Sequence, residues 1–217
     1  MNEHNFVRKI MWITIFSVAM AFVESAVVVY LRAIYYPEGF RFPLKAFTDY
    51  IILIEACREV ATLVMLSTVA HISGRTFRER FACLLLSFGV WDIFYYIWLK
   101  VLIDWPASLL DWDILFLIPV PWIGPVIAPV SISFLMIIFS VLIASAIQKG
   151  NNFQPTATQY VFALSGIALI LYSFMRDTGA TLHQQMPKPY PYGLLIAADI
   201  LFITAFLRSY ARSNARA

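Results

Sequence analysis

The sequence predicts an all-α, polytopic integral membrane protein, and three observations carry that prediction. Hydrophobic residues make up 61% of the chain and charged residues 13%, about half the charged share of a soluble domain. The mean hydropathy is +0.75. The apolar residues are gathered into runs of about 20, the length an α-helix needs to cross the hydrocarbon of a bilayer. A chain of 217 residues has room for about six such crossings with short connections. Residues 1–217 are therefore expected to form a single transmembrane helical domain.

The first span is expected at about residues 10–31, between Arg8 and Lys9 on one side and Arg32 on the other. Its apolar run is too long for a signal-peptide core, and Glu24 sits where a cleavage region would lie, so the span is read as retained. The second and third spans are expected at about residues 48–70 and 81–103, followed by a polar and aromatic turn over residues 104–113. Residues 114–147 are too many for one ordinary crossing, and Pro119, Pro121, Pro125 and Pro129 crowd their first half. Proline removes a backbone donor and clashes with the preceding turn. A Pro-broken re-entrant segment or half-helix is therefore expected before a fourth span at about 126–147. The fifth and sixth spans are expected at about 157–175 and 192–207.

Basic residues in short loops set orientation. With the amino terminus inside, the inner side carries Arg8, Lys9, Arg75, Arg78, Arg80, Lys149, Arg208, Arg212 and Arg216, nine in all, against six outside: Arg32, Arg41, Lys45, Lys100, Arg176 and Lys188. Both termini are expected to be cytoplasmic, in a plasma (inner) membrane. Scattered arginines at helix ends are what topology requires, so the net charge of +3 gives no reason to expect a nucleic-acid partner. Cys57 and Cys83 form no CxxC or CxxCH pattern, which leaves neither a disulfide framework nor a covalent haem.

Function is expected where ionisable groups interrupt the spans, because a charge in hydrocarbon costs roughly 2.5–3.5 kcal/mol on insertion scales. Six do so: Glu24, Glu55, Arg58, Glu59, Asp92 and Asp199. At helical spacing, Glu55, Glu59 and Thr62 fall within about 60° of one another and Arg58 flanks them, so one face of the second span is polar. That stripe is either an intrahelical ion pair that eases insertion or a working site. Asp92, Tyr95 and Tyr96 share a face of the third span, where the hydroxyls either cap carboxylates or meet a ligand. Glu24, Glu55, Arg58, Glu59, Asp92, Tyr95, Tyr96 and Asp199 are together expected to surround one acidic cavity in the outer half of the bilayer.

No histidine falls beside these acids, which weakens a zinc or non-haem iron site, and no metal is expected. His183 lies in an outer loop and is read as a solvated loop histidine rather than a ligand, the alternative being that it reaches the outer cavity. The sequence names no cofactor and carries no phosphate loop, GxSxG or HExxH motif. The reading placed first is a small transporter or channel-like protein for a cation or proton-coupled solute, with Glu55, Glu59 and Asp92 as coupling carboxylates and Arg58 as their counter-ion. The alternatives are an intramembrane enzyme acting on a lipid or isoprenoid substrate, and an accessory subunit of a larger membrane complex. Membrane lipids are expected partners in each case, and the small size suits a homo-oligomer.

Overall fold

The computed structural model describes residues 3–45, 48–151 and 153–214, the first four and the last of these by backbone alone; Asn2 and Ala217, at the expected cytoplasmic termini, lie outside the described residues. The elements are α1 (Glu3–Tyr35), α2 (Asp49–Ser73), α3 (Phe77–Ile103), β1 (Trp112–Phe116), β2 (Trp122–Pro125), α4 (Ile127–Gln148), α5 (Ala157–Met175), the short α6 (Thr178–Leu182) and α7 (Tyr192–Asn214). Among the described residues, five helices are long and apolar enough to cross a membrane: α1, α3, α4, α5 and α7. This makes the chain a membrane-embedded helical protein. The second expected span forms as α2, whose 25 residues are sufficient in length, but Asp49, Glu55, Arg58 and Glu59 lower its apolar character and it is not among the five.

The prolines decide the segment before α4. The expected re-entrant or half-helix is instead an antiparallel hairpin, with Trp112 opposite Pro125, Asp113 opposite Gly124, Ile114 opposite Ile123 and Phe116 opposite Trp122. Pro119 and Pro121 fall in the connection between the strands, where no ladder donor is needed. Pro129 falls in the first turn of α4, where the N–H it lacks would have had no helical partner. The hairpin is tied to its surroundings by backbone bonds from Val126 to the Asp111 carbonyl (3.0 Å) and from Ile127 to the Leu109 carbonyl (2.8 Å).

The third helix is the hub: it packs along α1, α2 and α4, while α7 packs along α5 and, less, along α4. Small and hydroxyl-bearing residues let these helices approach, as expected where no hydrophobic effect separates helix from lipid. Ser17, Ser25, Ser87, Ser133 and Ser140 are all buried. The Ser25 hydroxyl donates to the Tyr95 carbonyl across α1 and α3 (3.0 Å), and Ser140 donates to the Ala82 carbonyl across α3 and α4 (2.7 Å). Rings then join the hairpin to both sides: Trp91 of α3 meets Phe116, Phe116 meets Trp122, and Trp122 stacks on Phe174 of α5.

Helices α3 and α4 approach closely at Gly89, where an added Cβ would lie 2.7 Å from the Ser133 carbonyl oxygen and 2.9 Å from Ile137 Cγ1. Gly89→Ala should lower stability in detergent by about 1–3 kcal/mol through overpacking. At Gly193, where a Cβ meets nothing within 4 Å, alanine should leave the thermal midpoint unchanged. Equal midpoints for both variants would contradict this packing of α3 on α4.

Candidate functional site

A cavity of about 590 Å³, partly open, is lined by α1, α2, α3, the hairpin, α4, α5 and α6 and by the loop that follows α1. Its wall is largely aromatic and aliphatic, with Phe88, Trp91, Phe116, Trp122 and Ile132 among the contributors. Into this wall the sequence sets a cluster of charges. Glu24 reaches the cavity from α1, Glu55, Arg58 and Glu59 from α2, and Asp92, Tyr95 and Tyr96 from α3. Seven of the eight residues expected at one site therefore line one cavity. Asp199 does not: it stands on α7, near the Ser131 hydroxyl of α4.

Arg58 is the centre of the cluster. Its Nη1 forms an ion pair with Glu24 Oε2, while its Nη2 and Nε both lie 2.9 Å from Glu55 Oε2. Thr62, one turn further along α2, places its hydroxyl 2.5 Å from Glu24 Oε1 and 3.0 Å from the Arg58 carbonyl oxygen. The stripe read from helical spacing is thus completed across helices, by Glu24 as well as within α2. Glu59 turns toward the hairpin, and its two oxygens accept the backbone N–H of Leu117 at 2.9 and 3.1 Å. Asp92 accepts the Ser133 hydroxyl of α4 at 2.8 Å.

A second buried ion pair lies at the same cavity, between residues that the sequence places in loops. Arg32 Nη2 is 2.9 Å from Asp113 Oδ1, with the two side chains 8% and 3% exposed. The Arg32 guanidinium also lies 3.7 Å from the centre of the Trp105 ring and 4.1 Å from that of Phe40, the geometry of cation–π attraction. Burial raises the pKa of the Asp113 carboxyl, with Arg32 acting in the opposite direction. The Tyr96 hydroxyl is directed toward Asp113, so this tyrosine serves a different acid from the Asp92 of its own helix. One clue in the sequence was the likeness of Trp112-Asp113-Ile114 to Trp91-Asp92-Ile93; both aspartates are buried at the cavity.

Among the described residues, no group of three or more His, Cys, Asp or Glu side chains is placed to hold a metal ion. His183 is exposed, with Nδ1 3.0 Å from the Gly179 carbonyl oxygen. A smaller cavity of about 170 Å³ lies at the far end of α1, α3 and α4, beside the Lys9–Glu79 ion pair. Comparison of the chain with protein-family models, with curated proteins and with solved structures gives no match.

Proposed function

We propose that the protein is an intramembrane enzyme that draws one amphiphile of the lipid or isoprenoid class into the cavity and acts on it beside Glu59 and Asp92. The observation that carries this reading is the composition of the cavity: an aromatic and aliphatic chamber with its polar groups gathered into a carboxylate–guanidinium cluster. Its volume of about 590 Å³ falls among small-molecule sites of about 300–1,000 Å³. Entry is proposed between α2 and α5, because α2 packs on α3 and α1 with no comparable seam to α5.

Carboxyl groups within about 3 Å of a reacting atom are effective proton donors or acceptors. In this reading Glu59 or Asp92 transfers the proton, and Arg58 acts as a positioning residue that fixes Glu24 and Glu55. Arg58 also occupies the space between those two acids that a small cation would take. The surplus of acids over guanidinium groups favours the second reading, a transporter for a cation or proton-coupled solute. We further propose that α2 is a sixth crossing, with the hairpin outward and both termini cytoplasmic in a plasma membrane, on the basis of the asymmetry of the basic residues. External labelling of a cysteine placed at either terminus would reverse that orientation.

The protein reconstituted in nanodiscs of a total bacterial lipid extract should retain a bound amphiphile by native mass spectrometry and produce a species of altered mass. Glu59→Gln should keep the bound molecule and lose the product. A cation flux in liposomes that Glu59→Gln abolishes, with no bound amphiphile, would move the assignment to transport.

Arg58→Leu leaves Glu24 and Glu55 without their cation and should cost about 3–5 kcal/mol in denaturant unfolding. Removing the acids as well, in Arg58→Leu with Glu24→Leu and Glu55→Leu, should recover most of that stability. Under the proposed function the restored protein, which keeps Glu59 and Asp92 but lacks the polar groups that order the cavity beside them, makes less product than the unaltered protein. Full turnover in it would make the cluster purely structural.

A further inference from the structure

We infer that the end of the cavity at Arg32 and Lys45 is a subsite for an anionic oxygen group, a carboxylate or phosphate, carried by the ligand. This rests on the amphiphile reading above and names its head group. Arg32 is the principal observation. It is more than nine-tenths buried and lines the cavity, and while its Nη2 is engaged by Asp113, its Nη1 has no hydrogen-bond partner. A guanidinium carries five donors in a rigid fork, and a buried charged donor left unmade is costly. The Trp105 and Phe40 rings hold the guanidinium plane. The Nη1 donor that Asp113 leaves unused is therefore fixed before any ligand arrives, which suits an anionic oxygen acceptor.

A second cation belongs to the same end. Lys45 lines the cavity with an exposed side chain. It is positioned by Tyr36, whose hydroxyl accepts the Lys45 backbone N–H at 2.8 Å and whose ring lies 5.7 Å from Lys45 Nζ. Tyr36 follows Arg32 by one helical turn, so the two residues and Lys45 form one neighbourhood. The charged groups there are Arg32, Lys45 and Asp113, a net charge of +1 with Asp113 ionised, and Tyr36 and Tyr96 are the other titratable groups facing it.

The unpartnered groups of the whole lining are also mostly donors. Trp91 Nε1, Trp122 Nε1 and Thr181 Oγ1 are buried without partners. Among the described residues of the lining, the buried acceptors in that condition are Asp113 Oδ2 and the Thr181 hydroxyl, which can also donate; Tyr96 directs its hydroxyl toward Asp113. The acids of the inner cluster, by contrast, already accept bonds from Arg58, Thr62, Leu117 and Ser133. The unpartnered nitrogen donors Arg32 Nη1, Trp91 Nε1 and Trp122 Nε1 outnumber the lining's unpartnered acceptors. Arg32 and Glu24 are eight residues apart on α1, about 12 Å along the axis at 1.5 Å per residue. A ligand anchored by its head at Arg32 thus presents a group about that far along its chain to the inner cluster.

The test compares a long-chain fatty acid, the alkyl phosphate and the neutral alcohol of the same chain, each titrated into the full-length protein in neutral nanodiscs with tryptophan fluorescence as the readout. The acid or the phosphate should bind about tenfold more tightly than the alcohol. Lys45→Gln, which breaks no ion pair, should reduce that preference several-fold. Arg32→Leu with Asp113→Leu removes both members of the buried pair and should abolish the preference while alcohol binding persists. Millimolar inorganic phosphate serves as competitor: displacement of the alkyl phosphate assigns the subsite to free anions as well, and no displacement assigns it to anchored head groups. Equal binding of acid, phosphate and alcohol, or an unchanged preference in both Lys45→Gln and the paired variant, would overturn the subsite and leave the amphiphile reading in place. Failure of all three ligands to bind would overturn both.

Discussion

The guanidinium of Arg58 lies between Glu24 on α1 and Glu55 on its own helix, and the join between α1 and α2 depends on it. These two helices pack together only slightly, whereas each packs extensively on α3. Beside apolar clusters in which Ile13, Met20 and Ala21 of α1 meet Ala70 and Leu66 of α2, two polar links cross from one to the other: the Arg58–Glu24 pair and the contact of the Thr62 hydroxyl with the same carboxylate. In hydrocarbon, an unpaired member of that cluster would be expensive. The charges therefore turn α2 so that Glu59 and Thr62 are buried, leaving Leu53, Val60 and Val64 on its exposed side. A helix with this many ionisable residues lies at the edge of the bundle because its polar stripe has a polar place to face.

The hairpin follows from a similar constraint acting on the backbone. Non-helical chain removed from water has to pair its own N–H and carbonyl groups or find side-chain partners. Here the strands pair with each other, and the Leu117 N–H in the connection is taken by Glu59. One carboxylate thus joins the polar face of α2 to the segment that covers the cavity. Trp91, Phe116, Trp122 and Phe174 extend the same join to α3 and α5 by ring contacts. The cavity is consequently bordered by elements whose relative positions depend on each other's polar and aromatic contacts.

The two ends of the cavity use charge differently. At the inner cluster, acids are in excess and each carboxylate has a donor. At the other end, rings and Asp113 restrain a guanidinium whose Nη1 has no hydrogen-bond partner. This polarity along one chamber, within an apolar wall, is what an elongated molecule with unlike ends would meet. It also separates the groups proposed to transfer protons from the groups proposed to anchor, so that a change at Lys45 need not disturb Glu59.

The sequence by itself determined the membrane class, the course of the long helices and the polar stripe of α2. These properties follow from apolar run length, helix-breaking residues and 3.6-residue periodicity, all of which act locally. It also pointed to Glu24, Asp92, Tyr95 and Tyr96 as companions of that stripe, because buried ionisable groups have few alternatives to meeting one another. Tertiary structure alone decided that the proline-rich segment is a hairpin, since a proline cluster excludes a helix without selecting its replacement. It alone separated Asp199 from the cavity, because α7 packs on α5 and α4 and presents that acid to Ser131. It alone brought Arg32 to Asp113, 81 residues away. Loop charges look solvated in sequence, and only the packing of the chain ends of α1, α3 and the hairpin removes water from them.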